Sequence, residues 1–166
     1  MIVIGIDPGV AITGYGIICQ EEDGDLSLVE YGAIQTPNSI SADSERLLLI
    51  FKRLNEVLAL HRPIAGAVEK LFFQKNTRTA MAVGQARGIA LLALAQREIP
   101  VYEYAPVEIK QALTGYGNAD KRQIQEMLKL RLSLSKIPKP DDAADALAVA
   151  ICHLQSYRLR TLEVEG

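Results

Sequence analysis

The first 36 residues show the short apolar runs and the alternation that are typical of β-strands. The run "IVIGI" (2–6) is rich in β-branched residues and is followed by "DPG", which predicts a strand that ends in a tight turn. A second strand is expected over 13–20, and "EEDGD" after it, centred on Asp23 and Gly24, is typical of a hairpin turn. Polar and apolar residues alternate over 26–36, which predicts a third strand. Together the three segments predict an antiparallel meander.

The pattern changes to a helical period after residue 40. Segment 41–61 opens with Ser and Asp, and its apolar residues then recur three and four positions apart, which predicts a helix with one apolar face. The residues of that face are Leu47, Leu48, Phe51, Leu54, Val57 and Leu58. The segment "PIAGAVEKL", which begins at Pro63, predicts a buried strand with Glu69 near its end.

Segment 77–98 predicts a long helix that is lined with Ala and Gly. Small residues let another backbone approach closely, so this helix fits either the core or a subunit interface. "VYEY" (101–104) predicts a short strand, and further helices are expected over 105–115, 121–132 and 141–155.

The order of these elements predicts an α/β fold, in which helices flank a mixed five-stranded sheet. A chain of 166 residues has the length of one domain with a sizeable core. We therefore expect residues 1–166 to form a single domain, with about the last ten residues as a tail.

Charge is distributed unevenly along the chain, although the net charge is only −2. Residues 70–139 contain 12 Lys and Arg against 5 Asp and Glu, whereas residues 1–69 contain 4 against 10 and residues 140–166 contain 2 against 5. A basic middle between acidic ends can form a positive surface beside an acidic pocket, as a nucleic-acid-binding protein requires. Solvated helix faces would give the same charge pattern.

Neither cysteines nor apolar runs suggest a secreted or membrane protein. The two cysteines, Cys19 and Cys152, lie far apart, and two histidines are too few for a Cys/His zinc pattern. The start "MIVIGIDPG" lacks the basic segment of a signal peptide, and the longest apolar stretch is too short for a membrane span. We expect a cytoplasmic protein that does not interact with membranes.

Four carboxylates are candidates for a metal site. Asp7 ends the first strand, Glu69 ends the fourth, and Asp142 and Asp145 share one face of the last helix. If the two strands are close in the sheet, both strand acids emerge at the same end, where the helix can bring its own pair. Carboxylate oxygens suit Mg²⁺, with Mn²⁺ as an alternative, and the cation offsets their mutual repulsion.

These acids also have structural explanations, and Glu69 could simply mark the point where its strand reaches solvent. Asp141 or Asp142 could cap the last helix or interact with its dipole, and Asp7 could simply begin the turn that follows it. The set of four is a stronger signal than any one of them.

The glycines of "GIDPGVAITGYG" also fit a phosphate-binding turn, as in actin-like or sugar-kinase ATPases. Those proteins use two such lobes, and this chain has room for one, so its length argues against that class.

Five motifs together resemble the RuvC family of Holliday-junction resolvases. They are "GIDPG…TGYG", "VEKLFFQKN", "GQARG", "YAPVEIKQALTG" and "DAADALAVAI", and the resemblance runs from about residue 2 to 155 in the family's order. It implies an RNase H-like fold, a homodimer, and an Mg²⁺-dependent endodeoxyribonuclease that nicks two opposed strands of a four-way junction. A branch-migration helicase complex is implied as a further partner.

The resemblance also implies roles for individual residues. It makes Asp7, Glu69, Asp142 and Asp145 the ligands of two metal ions, and it leaves Asp141 outside the motif. Basic residues of the family that contact the backbone or the transition state correspond to Lys110 and Lys121. The aromatic residue that stacks on bases corresponds to Phe72, and Phe73, Lys75 and Arg78 are further candidate DNA contacts.

Other interpretations of the same residues stay open. Phe72 and Phe73 could be core residues, and the polar, basic "QKNTR" that follows them favours an exposed loop instead. Another RNase H-like nuclease, acting on a substrate that contains RNA, would use the same four acids. A junction-binding module without catalysis would need the basic middle of the chain but no converging acids.

Overall fold

The computed structural model describes residues 1–70 and 77–164, apart from the side chains of 77–79 and 158–164. It confirms the predicted α/β fold with a mixed five-stranded sheet. The elements in chain order are β1 (Ile2–Asp7), β2 (Ile12–Gln20), β3 (Leu26–Gln35), α1 (Asp43–His61), β4 (Ala65–Glu69), α2 (Thr77–Ala95), β5 (Val101–Tyr104), α3 (Pro106–Thr114), α4 (Lys121–Arg131) and α5 (Asp141–Val164).

The sheet has the strand order β3-β2-β1-β4-β5. The first three strands form the predicted antiparallel meander, and the β2–β3 turn contains Gly24 at a φ of 93°, which suits glycine. β4 pairs parallel to β1, and β5 pairs parallel to β4, so α1 and α2 serve as crossover helices. The ends of β1 and β4 therefore lie side by side in the middle of the sheet.

Side chains alternate along the strands and supply one apolar core on each face of the sheet. On one face, isoleucines of β1 and β2 and Val68 of β4 pack against α1 and α2. On the other face, Val3, Ile18 and Ala67 pack against α3, α4 and the apolar residues of α5. The segment 146–152 of α5 is fully buried, so this helix is the central helix of its layer.

The apolar face of α1 differs from the predicted one. Its buried residues are Ile50, Leu54 and Leu58, whereas Leu48 is 50% exposed. Residues spaced by four form one row along a helix, and this row faces the isoleucines of the sheet. The predicted Phe51 and Val57 also pack, partly buried, against the same core. Leu48 is exposed because its row along the helix also holds Lys52 and Glu56 and faces solvent.

The last helix is longer than predicted. We expected α5 to end at Gln155, and it continues to Val164. The segment 156–164 contains neither Gly nor Pro, so no residue in it stops a helix. Within the described ranges, none of the helices is both long and apolar enough to cross a bilayer.

Candidate active site

The register of β1 and β4 brings two of the predicted acids together. Ile6 pairs with Val68 in the parallel ladder, and the next residue of each strand is Asp7 and Glu69. Because side chains alternate along a strand, Asp7 lies on the same face as Gly5, which contacts α5. Both acids therefore lie at one sheet end on the face that α5 covers.

The first two turns of α5 bring the other two acids to the same end of the sheet. Asp142 and Asp145 are three residues apart and share one side of the helix. The backbone of Asp142 lies directly over Gly14, which is the partner of Asp7 in the β1–β2 ladder. The four carboxylates thus come from three distant parts of the chain.

The charges around Asp7 reflect how close the four acids lie to one another. Burial, followed by the charges of Asp145, Glu69 and Asp142 in that order, raises the pKa of Asp7 to about 7, while Lys121 acts in the opposite direction. A carboxyl that three other acids influence has a strong preference for a neighbouring cation.

Glu69 and Asp145 are perturbed in the same direction. Burial raises the pKa of Glu69, the charge of Asp145 adds to the effect, and Lys110 lowers it. Burial also raises the pKa of Asp145, and the nearby Lys121 lowers it. Each of the two predicted lysines therefore lies close enough to one of the acids to favour its charged form.

Lys121 is held in place by the start of α4. The carboxylate of Asp120 accepts a hydrogen bond from the Gln123 backbone at 2.8 Å, and the Gln123 side chain accepts one from the Asp120 backbone at 2.9 Å. This capping box fixes the first turn of the helix. The Lys121 ammonium then lies 3.5 Å from Asp145 and 3.1 Å from Asp141.

Asp141 differs from its neighbours. Its carboxylate pairs with Lys139 at 2.6 Å and with Lys121 at 3.1 Å, and these two contacts lower the pKa of Asp141 to about 2. Asp141 therefore interacts with lysines at the surface, whereas Asp145 faces Asp7.

A cavity of about 250 Å³ adjoins the acids between α3, α4 and α5. Glu69, Asp145, Lys110 and Lys121 line it together with an apolar floor that includes Ile124. Asp142 lines a separate, more open groove beside the β1–β2 turn. Glu69 and Asp145 thus line one depression, and Asp142 lines the other.

The donor set fits a hard divalent cation. Four carboxylates supply only oxygen ligands, which Mg²⁺ and Mn²⁺ prefer, and a cation would remove the repulsion that raises the pKa of Asp7. In the described part of the chain, no three acidic, histidine or cysteine side chains form a ready-made metal-binding group. The side chains as they lie would have to turn towards a shared ion.

Several predicted DNA contacts lie outside the described residues. These are Phe72, Phe73 and Lys75, together with the side chain of Arg78, whose backbone is in the first turn of α2. Lys110 and Lys121 are described, and both border the acidic cavity.

Two contributors to the site were not recognised from the sequence. The capping role of Asp120 was not assigned, although "DKRQ" is a recognisable capping pattern, with Gln three residues after the cap. From the sequence, Gly14 and Gly16 were considered only as part of a possible phosphate-binding turn. The structure instead places them under α5, and it is Thr13 that closes the β1–β2 turn by donating a hydrogen bond to the Gly9 carbonyl at 2.7 Å.

Comparison with known proteins gives a consistent result over nearly the whole chain. A family model described as "Crossover junction endodeoxyribonuclease RuvC" matches residues 3–153. A protein of that name from Roseiflexus sp. (strain RS-1) is 57% identical over 150 residues, which are 90% of this chain and 88% of the relative. Another from Chloroflexus aurantiacus (strain ATCC 29366 / DSM 635 / J-10-fl) is 54% identical over 163 residues, 98% of this chain and 97% of the relative.

A solved structure shows the same similarity in three dimensions. It is described as "T. thermophilus RuvC in complex with Holliday junction substrate", and it superposes with a TM-score of 0.91 at 37% sequence identity. The match covers 97% of this chain and 97% of the other.

Proposed function

The chain belongs to the RuvC family of crossover junction endodeoxyribonucleases, and we propose that it resolves four-way (Holliday) DNA junctions at the sheet end that carries Asp7 and Glu69. The observation that carries this proposal is the strand register, which makes those two acids neighbours under the first turn of α5, where Asp142 and Asp145 begin the helix. A binding module without catalysis would have no use for such a costly group of partly buried carboxylates.

The acids would act as the ligands of divalent cations. Asp7, Glu69, Asp142 and Asp145 would hold the metal, with Mg²⁺ as the expected ion, Mn²⁺ as the alternative, and two ions per site as the expected number. When bound, the metal supplies an activated water and stabilisation of the leaving 3′ oxygen. The protein contributes the end of the sheet and the start of α5, which hold the backbones of the four acids close together, so that only their side chains have to turn towards the ion.

Lys110 and Lys121 would act on the phosphate. Both border the acidic cavity, one on α3 and the other at the first position of α4. A lysine at a helix start is unfavourable for the helix dipole, which supports a functional reason for Lys121 there. Their charges would offset the negative charge that builds up on the phosphate during cleavage.

DNA contacts beyond the cavity are expected from the segment between β4 and α2. Phe72 and Phe73 would stack on bases near the crossover, which is worth about 1–3 kcal/mol per base, and Lys75 and Arg78 would contact phosphates. The segment starts directly after Glu69, so it would bring the unstacked bases close to the cutting site.

Paired cuts on opposed strands require two active sites, and we expect a homodimer in which α2 contacts its copy. The residues Met81, Gln85, Gly88 and Leu92 recur at intervals of four, three and four and are all exposed. Met81 is 69% and Leu92 55% exposed. An uncharged row of this spacing on a surface helix is typical of a helix–helix contact.

Two further expectations concern the cellular context. The cytoplasmic location stays a prediction. The proposed substrate supports it, because a protein that acts on four-way DNA must share a compartment with chromosomal DNA. A branch-migration helicase complex also stays a predicted partner. Such a motor would move the crossover and so bring different sequences to the nuclease.

A mobile synthetic four-way junction tests the proposed function. With Mg²⁺ and each strand labelled in turn, we expect nicks at matching positions in two opposed strands and products that a ligase seals. The variant Asp7→Asn keeps the shape of the side chain and removes its charge, and it should bind the junction without cutting it.

The same assay separates the proposal from its competitors. Faster cutting of an RNA–DNA hybrid or a structured RNA than of the junction would assign the chain to another RNase H-like activity. Loss of binding by Asp7→Asn together with residual cutting would contradict the role of the acids.

A further inference from the structure

The backbone of the first turn of α5 packs directly against Gly14 of β2. Gly14 pairs with Asp7 across the β1–β2 ladder, on the face of the sheet that α5 covers. A Cβ atom built on Gly14 would lie 2.0 Å from the carbonyl oxygen of Asp142, 2.3 Å from its carbonyl carbon and 2.9 Å from the backbone nitrogen of Ala143. All three neighbours are backbone atoms of the helix, so no side chain can rotate away to make room.

The next layer of the sheet repeats this arrangement. Gly5 pairs with Gly16, and a Cβ on Gly5 would lie 1.9 Å from the Ala146 carbonyl oxygen. A Cβ on Gly16 would lie 2.6 Å from Cδ2 of Leu147. The helix backbone thus approaches the sheet more closely than strands with side chains permit, over a stretch from Asp142 to Ala146 that includes Asp145.

Resting on the proposed function, we propose that Gly14 and Gly16 are positioning residues, which set the distance of Asp142 and Asp145 from the two strand acids. With a methyl group at position 14, the first turn of α5 would have to move by about 1.4 Å to restore an ordinary contact of 3.4 Å. The movement points away from Asp7, the strand neighbour of Gly14. A misplacement of about 1 Å in such a site can lower the rate by roughly 10²-fold.

If these glycines served only the stability of the fold, replacing a closely packed glycine elsewhere in the sheet would have the same effect. Gly66 on β4 faces the opposite side of the sheet, where an added Cβ would lie 2.6 Å from Cδ1 of Leu94 on α2. Gly66→Ala therefore introduces the same methyl group into the same sheet against another helix. It should strain the core without moving α5. Because its methyl group meets a leucine side chain, as that of Gly16→Ala does, it is the matched control for Gly16→Ala and a general control for Gly14→Ala.

The experiment compares the wild type, Gly14→Ala and Gly66→Ala in four measurements. These are the melting temperature, junction affinity in EDTA, Mn²⁺ affinity by calorimetry, and the single-turnover cleavage rate at saturating protein. We expect Gly14→Ala to bind the junction within about twofold of the wild type, to bind Mn²⁺ at least tenfold more weakly, and to cleave roughly 10²-fold more slowly. Gly66→Ala should keep the wild-type Mn²⁺ affinity and cleavage rate.

A folded Gly14→Ala whose Mn²⁺ affinity and cleavage rate match those of Gly66→Ala would overturn the proposal. If Gly14→Ala does not fold, Gly16→Ala decides, because its added methyl group meets the flexible side chain of Leu147. We expect Gly16→Ala to lose part of the Mn²⁺ affinity and cleavage rate. Leu147→Ala in the same chain should restore part of that loss, and a loss that Leu147→Ala leaves unchanged would overturn the proposal.

The Mn²⁺ affinities allow the positioning role of the glycines to be tested separately from the proposed nuclease activity. A wild type that binds Mn²⁺ but leaves junctions intact would refute the nuclease, while the Mn²⁺ affinities of the two glycine variants would still decide the positioning role. A wild type that neither binds Mn²⁺ nor cuts would overturn both.

Discussion

Asp7 is in a position where its charge is unfavourable unless a cation is near. Burial and three neighbouring acids raise the pKa of Asp7 to about 7, and a single lysine opposes them. In the unfolded chain the same carboxyl ionises near 3.8. The folded protein therefore binds a proton that the unfolded chain has released between these two values, and its stability falls as the pH rises through this range.

Asp7→Asn should therefore stabilise the metal-free protein at neutral and higher pH. In EDTA at pH 8 we expect a higher melting temperature than for the wild type, by about 2–4 °C for each kcal/mol gained. The difference should shrink as the pH falls from 8 towards 4, because the wild-type carboxyl becomes protonated. Thermal unfolding monitored by circular dichroism measures this.

Asp25→Asn is the control for that series. Asp25 is exposed in the β2–β3 turn, and its loss of charge should change the melting temperature little at any pH. An Asp7→Asn protein that is less stable than the wild type at pH 8 would show that the carboxylate has a favourable partner in the metal-free state.

Lys110 borders the acidic cavity and favours the charged form of Glu69. Replacing Lys110 with Gln removes the charge and keeps most of the side-chain volume. We expect single-turnover cleavage to slow by roughly 10²-fold at saturating protein, with junction affinity nearly unchanged. Lys52→Gln on α1, on the other side of the sheet, should leave the rate unchanged. If both changes slowed cleavage equally, the cause would be the overall charge of the protein in DNA binding and not a role of Lys110 at the site.

At the scale of elements, the periodicity of apolar residues was sufficient to predict every strand and helix. It was not sufficient for two positions of α1: Ile50 is buried although it was not predicted to be, and Leu48 is exposed in a row that also holds Lys52 and Glu56. It also did not predict the end of α5, because the segment after Gln155 has little apolar pattern and its helix has no stop signal.

The candidate site was predictable as a set of acids but not as a geometry. Carboxylates that end buried strands were visible in the sequence. Their meeting depends on the register between β1 and β4, two strands that are about 60 residues apart, which periodicity does not specify. The closeness of α5 to Gly14 depends on long-range packing in the same way.

The capping box of α4 provides a test at this scale. Asp120→Ala removes the side-chain acceptor for the Gln123 backbone, and we expect it to lower the free energy of unfolding by about 1 kcal/mol. It should also slow cleavage, because Lys121 follows the cap directly and would lose its fixed position near Asp145. Denaturant unfolding and single-turnover kinetics measure the two effects.

Asp120→Ser retains an oxygen that caps helices well and should restore both stability and rate. If Asp120→Ala lost stability but cut at the wild-type rate, the cap would have no part in positioning Lys121.

At the scale of the whole molecule, cutting two opposed strands requires two copies of the site. We expect Leu92→Glu to disrupt the homodimer, since it places a charge in the uncharged exposed row of α2. Light scattering should report a monomer, and junctions should receive single nicks that are no longer paired. Leu60→Glu is the matched control, because Leu60 is 72% exposed on α1. A dimer that persists in Leu92→Glu would place the interface elsewhere.

The central claim is that acids from β1, β4 and α5 jointly bind divalent cations. Anomalous diffraction from crystals soaked in Mn²⁺ tests it most directly. We predict anomalous peaks within coordination distance of Asp7, Glu69, Asp142 and Asp145, and no peak at this place in crystals of Asp7→Asn. Peaks that lie only elsewhere on the protein, with the four carboxylates turned away from one another, would contradict the claim.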